Sequence, residues 1–265
     1  MNKIKKCPVC NSERNFSFKE TLLNKYSVSY YSCPTCGLLQ TEEPYWLDEA
    51  YTDAIAVTDT GLVQRNIILA SKLSSALYFG LDINGKCLDI AGGYGMLVRL
   101  MRDFGFDFYW EDKFCKNILA KGFEVADNKD GFDALTAFEV LEHIHDPVTF
   151  VKESMEEHGV NTLIFSTQVY YEGPAPMRDW WYYSFETGQH ISFYTNKTLK
   201  SIADRLELNF FSAGGLHIFT ERKIKPLRFL MLKGKLFLPL VAYIRWRKGT
   251  KVMDDHCLMA DKLKP

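Results

Sequence analysis

Three glycines among four residues, in the stretch CLDIAGGYGMLVRL from Cys87 to Leu100, constrain this chain more than any other feature. An apolar run, KCLDIA, precedes them. The amphipathic MLVRLMRDFG follows, with Leu97, Leu100 and Met101 on one helical face and Gly105 to stop it. Strand, tight turn and helix in that order form the first βα unit of an α/β sheet. A dinucleotide fingerprint, G-x-G-x-x-G, fails on spacing, because counting from Gly93 the third glycine would fall at Val98. On their own the glycines also fit a tight βα turn that holds no ligand.

The following segments repeat the alternation of strand and helix. FDFYWEDKF runs into Glu111 and Asp112, FEVAD into Asp127, and ALTAF into Glu139, which is followed by VLEHIHDP. NTLIFST reads as a fifth strand. KTLKSIADRLEL reads as a helix with Leu199, Ile202, Ala203 and Leu206 inward, and NFFSAGGLHIFT as a closing hairpin. Taken as acid-x-G-x-G-x-G, the turn supplies Asp89, Ala91, Gly93 and Gly95, with alanine at the first glycine position. This resembles motif I of the class I S-adenosylmethionine-dependent methyltransferases. GFDALTAFEVLEHIHDPVTFVKE resembles the fourth-strand motif of the ubiquinone-biosynthesis O-methyltransferases and of the methyltransferase-domain 23 group. The resemblance spans roughly residues 84 to 220. It implies an α/β fold with a Rossmann-like, seven-stranded, mostly parallel sheet sandwiched by helices. It also implies S-adenosylmethionine held by Asp89, Ala91, Gly92, Gly93, Gly95, Asp112, Asp127 and Glu139. Of the two acids ending the second strand, Asp112 is preferred over Glu111 for the ribose hydroxyls.

Four of the seven cysteines form two knuckles, Cys7 with Cys10 and Cys33 with Cys36. Two Cys-x-x-Cys turns complete a closed tetrahedral thiolate shell, the pattern of a structural Zn2+ site with no open position. The intervening residues, including the alternating YSVSYYS, read as a hairpin, so the N-terminus is expected to be a small zinc ribbon that needs its metal to fold. A redox pair or idle thiols are the alternatives. A nucleic-acid role finds little support: the formal net charge is −1 and only Arg14, Lys19 and Lys25 lie in the hairpin.

The segment TQVYYEGPAPMRDWWYYSFETGQHISFYT is long for a connection inside a compact domain, and such loops usually carry function. Its Trp180, Trp181, Tyr182, Gln189 and Tyr194 are candidate substrate contacts, because aromatic faces with polar tips suit sugars or nucleobases. A hydrophobic plug is the alternative for the tryptophans. His190 in this loop and His143 after the fourth strand are candidate catalytic bases, since a neutral imidazole can take the proton an acceptor must lose. Bacterial deoxysugar C-methyltransferases are similar in joining a four-cysteine module to such a core, and His143 matches their histidine after the fourth strand. Gln189 and His190 stand where those enzymes carry a Glu-His pair, and no counterpart of their extra C-terminal domain is expected in these 265 residues. The resemblance implies a small-molecule, sugar-like acceptor.

Residues 1–42 are thus expected to be the zinc module, 43–83 a helical linker or lid, 84–221 the core and 222–265 a basic tail. The linker offers Tyr45, Trp46, Tyr51 and Asp59 as cofactor or substrate contacts, and LVQRNIILASKLSSAL as an amphipathic helix with Leu62, Ile67 or Ile68, Leu73 and Leu77 inward. From Arg222 to Lys251 there are ten Lys or Arg and no acid, interleaved with apolar residues. That pattern suits an anionic membrane surface, or packing on the core or a homodimer partner with the basic face solvated. No export signal or membrane-length apolar run stands out, so a cytoplasmic location is expected, with contact at the inner membrane surface where the tail binds lipid. A second class of function stays open: a zinc-ribbon binding or scaffold protein on a catalytically inactive fold, for which Ala91 is the motif I departure.

Overall fold

In the computed structural model, residues 6–51, 59–223, 225–232 and 237–264 are described. The first elements are β1 (Asn15–Leu22), β2 (Tyr26–Ser32), β3 (Leu39–Thr41) and the single turn α1 (Leu47–Ala50). α2 (Leu62–Ser75) runs on as a π-helical turn over Ala76–Leu81, followed by β4 (Lys86–Ile90), α3 (Met96–Asp103), β5 (Asp107–Glu111) and β6 (Ala134–Phe138). Then come α4 (Pro147–Glu157), β7 (Thr162–Ser166), β8 (Ser192–Phe193), α5 (Asn196–Arg205), β9 (Asn209–Ala213) and β10 (Leu216–Thr220). The chain closes with α6 (Phe237–Lys248) and α7 (Val252–Lys262).

Two sheets result, a four-stranded one in the order β1-β2-β3-β8 and a six-stranded one in the order β5-β4-β6-β7-β10-β9. β4 pairs in parallel with both β5 and β6, setting Cys87 beside Phe108 and Ala134, and β9 and β10 form an antiparallel hairpin. The expected mixed α/β architecture, mostly parallel with one reversed strand and flanked by helices, is therefore present. β4, β6 and β7 carry near-continuous buried runs, as strands covered on both faces must. Gly214 and Gly215 both adopt positive φ and make the tight turn of the closing hairpin.

The sheet has six strands among the described residues, where seven were expected. FEVAD contributes only a bridge between Trp110 and Glu124 before a 3-10 turn over Val125–Asp127. The reason is local capping. Glu124 N–H donates to the Asp127 carboxylate at 3.0 Å and Asp127 N–H to the Glu124 carbonyl at 2.9 Å, so backbone groups that a ladder would need are taken.

The chain divides into two compact units. The first comprises Met1–Ala56, Phe138–Glu157 and Phe165–Glu221. Its core packs the β1–β2 hairpin, through Phe18, Leu22, Val28 and Tyr30, against Trp46, Tyr182, Tyr183 and Phe193. The expected N-terminal hairpin is present, and two late arrivals in sequence, β8 and the aromatic loop, complete its packing.

The second unit comprises Val57–Ala137, His158–Ile164 and Arg222–Pro265. In α2 the buried stripe is Ala70, Leu73 and, in the π-helical turn, Leu77; Ile67 and Ile68, expected inward, are 49% and 41% exposed. Ser71, Ser74 and Ser75 fill the rest of that face and return their hydroxyl protons to carbonyls one turn back. In α3 the buried face is Leu97, Val98 and Met101, with Leu100 only half-buried. α7 is anchored by Asp255, which accepts from Arg99 and bidentately from Arg102 at 2.7–2.8 Å. Among the described residues no helix is long and apolar enough to cross a membrane.

Candidate functional site

The glycine turn belongs to the second unit. Ala91, Gly93 and Gly95 all adopt left-handed φ, at 59°, 55° and 85°. Gly95 is required twice over, since a Cβ there would also lie 2.9 Å from Asn117 Oδ1 and 3.0 Å from the Ala120 Cβ. Gly93 differs: among the described residues a Cβ on it would meet nothing within 4 Å, so its face of the turn leaves room for a ligand's close approach. Ala91 holds a conformation that costs an L-residue roughly 1–2 kcal/mol. Gly92 N–H donates to the Glu111 carbonyl at 3.0 Å and Trp110 Nε1–H to the Gly93 carbonyl at 2.8 Å, pinning the turn to the end of β5.

Asp112 is the acid that serves this turn. Its carboxylate accepts from Gly93 N–H at 2.9 Å and from Phe114 and Cys115 N–H at 2.7 Å each, whereas Glu111 lies 3.2 Å from His158 Nε2. Asp89, 3% exposed, accepts from the Thr136 hydroxyl at 2.6 Å. Burial pushes its carboxyl up to about 7, against the Thr136 bond and with a further push from Asp112. Among the described residues no side chain caps α3, leaving its N-terminal N–H groups for an anion. An open glycine face, an acid at the next strand's end and an uncapped helix start suit a nucleoside with a carboxylate-bearing tail. Asp127 sits otherwise: exposed, it caps its own 3-10 turn and pairs with Lys262 of α7 at 3.0 Å. Asp59, expected in the lid, forms a bidentate pair with Arg65. Within the expected linker or lid, 43–83, residues 52–58 lie outside the described residues.

The histidines belong to the first unit. A 3-10 turn over Leu141–His143 follows β6, and Ile191 N–H donates to the Glu142 carbonyl at 2.8 Å, bringing the GQH segment alongside. His143 and His190 stack edge-on with ring centroids 4.9 Å apart. His143 Nδ1 lies 3.0 Å from the Gln189 carbonyl and 2.8 Å from the Tyr51 hydroxyl; His190 Nδ1 lies 2.6 Å from the Tyr182 carbonyl. A carbonyl only accepts, so each Nδ1 carries the proton and each Nε2 presents a lone pair. Burial, reinforced by His190, lowers His143 to about 3 despite its bond to Gln189. Glu139, at φ 55°, accepts the Ser166 hydroxyl proton and donates its own N–H back to that oxygen at 3.1 Å. The strain of that backbone is a common mark of functional loops.

The aromatic candidates divide. Trp181 is 73% exposed and Trp180 half-buried against Tyr183 and Phe193. Tyr182 and Tyr194, expected as substrate contacts, are framework side chains instead. Tyr182 is 1% exposed, with its hydroxyl on Gln168 N–H and Thr167, and the fully buried Tyr194 donates to the Leu141 carbonyl at 2.7 Å. Gln189 donates through Nε2 to the Ala50 carbonyl at 2.7 Å while its own carbonyl orients His143, so it too positions. Trp46 is buried on Gly188, and Tyr45 is exposed against its ring. Sequence reasoning missed Glu142, which is fully buried with neither carboxylate oxygen hydrogen-bonded among the described residues. A charged residue directly before a candidate histidine was the only signal available.

Also in the first unit, the Sγ atoms of Cys7, Cys10, Cys33 and Cys36 all lie within 4.8 Å of one another, with Cys7–Cys36 at 3.6 Å and Cys10–Cys33 at 3.4 Å. Four thiolates about 2.3 Å from a zinc ion stand roughly 3.8 Å apart, so the cluster fits that metal. Asn11 and Gly37, both at positive φ, close the knuckles by donating N–H to the Cys7 and Cys33 carbonyls at 2.9 Å. Thr198 Oγ1–H donates to the Cys36 carbonyl and Arg205 to those of Pro8 and Val9, tying the knuckles to α5.

A family model described as a methyltransferase domain matches residues 64–212, more than half of the chain. The chain belongs to that methyltransferase family. The match begins in α2 and runs through the glycine turn, the acid at Asp112 and both histidines to β9. No curated protein matches the sequence. Among solved structures, the methyltransferase is similar to TnmH at 16% identity, with 67% of this chain and 60% of that one covered and a TM-score of 0.46. It is similar to the mitomycin 7-O-methyltransferase MmcR at 14% identity, with 66% and 60% covered and a TM-score of 0.42. For the plantazolicin methyltransferase BpumL, solved with SAH, the figures are 11%, 74%, 88% and 0.42. The chain thus spans about 60% of the length of the first two.

Proposed function

We propose that the protein is an S-adenosylmethionine-dependent methyltransferase acting on a small molecule, with a saccharide or glycan precursor as the acceptor class. The observation that carries this reading is the glycine turn, open at Gly93 and tied by its N–H to the Asp112 carboxylate, inside the segment matched by the family model. Asp112 is assigned the ribose hydroxyls, the N–H groups at the start of α3 the methionine carboxylate, and the open backbone at Gly93 the nucleoside's approach. When bound, the cofactor supplies an electrophilic methyl group on a sulfonium.

The protein's own residues supply orientation and the base. With the cofactor bound, its methyl group would pass to an oxygen, carbon or nitrogen of the acceptor, and the proton the acceptor loses would go to an imidazole Nε2. His190 and His143 are assigned that role because each Nδ1–H is fixed on a backbone carbonyl, leaving Nε2 as acceptor. The exposed Trp181 ring supports a sugar-like acceptor, whose C–H faces stack on such a surface. The four cysteines are assigned a structural zinc ion that staples the N-terminal hairpin, its shell closed to substrate.

The test is transfer of labelled methyl from S-adenosylmethionine onto a panel of nucleotide sugars. The wild type is expected to label at least one of them, and His190→Asn to lower the rate by a factor of about 10²–10⁴ without weakening cofactor binding. Labelling of no sugar, with another small molecule labelled instead, would refute the acceptor class and leave the enzyme reading standing.

A further inference from the structure

Glu142 sets a problem that the acid–base reading leaves open. A carboxylate with no solvent exposure and no hydrogen bond to either oxygen costs several kcal/mol to bury, a cost native proteins meet with a paired charge or a metal. Among the described residues no hydrogen-bonding group reaches it. What does lie near are His143 and His190: one ligand atom from each of the three residues falls within 4.8 Å of the others.

The imidazoles are prepared in a particular way. Both Nδ1–H groups are held by backbone carbonyls, of Gln189 at 3.0 Å and Tyr182 at 2.6 Å. Metal-binding histidines are oriented in this manner, the outer nitrogen donating to a carbonyl or carboxylate so that the inner lone pair is fixed. The Glu142 main chain is fixed as well, through the Ile191 N–H on its carbonyl. One buried carboxylate and two oriented imidazoles balance a divalent charge except for a single positive unit.

We propose that Glu142, His143 and His190 form a second metal site, distinct from the cysteine cluster, for a divalent transition-metal ion of imidazole and carboxylate preference. With two histidines and one carboxylate, such a site keeps open positions for water or for an acceptor oxygen, unlike the closed thiolate shell. Its use in catalysis rests on the function proposed above; its existence does not. An ion held there would lower the pKa of a coordinated acceptor hydroxyl, and His143 and His190 would then serve as ligands in place of the base.

The experiment is titration of the full-length, zinc-loaded protein with Mn2+, followed by loss of the free-ion electron paramagnetic resonance signal, and with Co2+, followed by visible absorption. Zinc content is measured in parallel. The expected result is one additional ion per chain, a Co2+ spectrum lacking the thiolate charge-transfer band, and binding weakened at least tenfold in both Glu142→Gln and His190→Ala. Unchanged zinc content and S-adenosylhomocysteine binding in those variants report that the fold and the cofactor site persist. The proposal is overturned if the folded wild type takes up neither ion beyond the cysteine zinc, or if both variants bind as the wild type does. Failure of cofactor binding in all three proteins would instead strike the function and leave the metal result to be read by itself.

Discussion

Ala91 sits where the family pattern has glycine and pays for it with a φ of 59°. Ala91→Gly is therefore expected to raise stability by about 1 kcal/mol, read as a shift in the urea midpoint at unchanged slope. No change, or a loss, would mean that the surrounding turn rather than the residue sets the conformation. His217 makes a pH prediction. It is 1% exposed, and burial lowers it to about 4 despite its Nε2–H bond to the Thr167 carbonyl at 3.1 Å. The unfolded chain binds a proton near pH 6.5 that the folded chain refuses until about pH 4. The stability is thus fully present above pH 6.5 and is lost as pH falls toward 4, by at most about 3 kcal/mol. His143 acts with the same sign. Urea midpoints at pH 7 and pH 5 should differ less in His217→Gln than in the wild type; an equal difference would contradict the assignment. At this scale the sequence was partly legible. Spacing left both Glu111 and Asp112 at the strand end and the family resemblance preferred Asp112, whose carboxylate the structure joins to Gly93 N–H. The role of Glu142 was not legible, because whether a carboxylate is orphaned depends on which segment folds over it, here residues 189–191.

α7 shows what an element owes to one side chain. Asp255 is 5% exposed and both its oxygens are held by Arg99 and Arg102 of α3. Asp255→Ala would leave the 4%-exposed Arg102, among the described residues, with only Asp107 as a charged partner, so a loss of about 3 kcal/mol is expected in denaturant unfolding. A loss below about 0.5 kcal/mol would mean the helix is held by its apolar contacts instead. From sequence, the ending DDHCLMADKLKP said nothing, because an ion pair between residues 153 positions apart leaves no local pattern. Period and turn chemistry did reveal β4, α3, β6 and the β9–β10 hairpin, each a short segment whose burial follows its own alternation. They misplaced FEVAD, where acidic caps outcompete the ladder, and Ile67 and Ile68, where the small residues Ala70, Ser71 and Ser74 make the inner face of α2.

At the scale of the molecule, the proposed zinc site would tie the N-terminal hairpin to the rest of the first unit. Its knuckles are bonded to α5 through the carbonyls of Pro8, Val9 and Cys36, so removing the proposed zinc should loosen α5 as well as residues 6–41. Hydrogen exchange after chelation is expected to show faster exchange in α5 as well as in β1, β2 and the Cys36 knuckle; unchanged protection in all of them would argue that the metal is dispensable. The general architecture was readable because α/β folds announce themselves through repeated local units. The association of β8 with the N-terminal sheet was not, since a two-residue strand has no periodicity to detect.

The central claim is that the glycine turn holds S-adenosylmethionine, and calorimetric titration of the zinc-loaded protein with that cofactor and with S-adenosylhomocysteine, beside Asp112→Ala, tests it most directly. Binding in the micromolar range, about −8 kcal/mol, is expected, weakened tenfold or more in a variant that remains folded by its melting curve. A folded wild type that gives no heat with either ligand, and no competition between them, would contradict it.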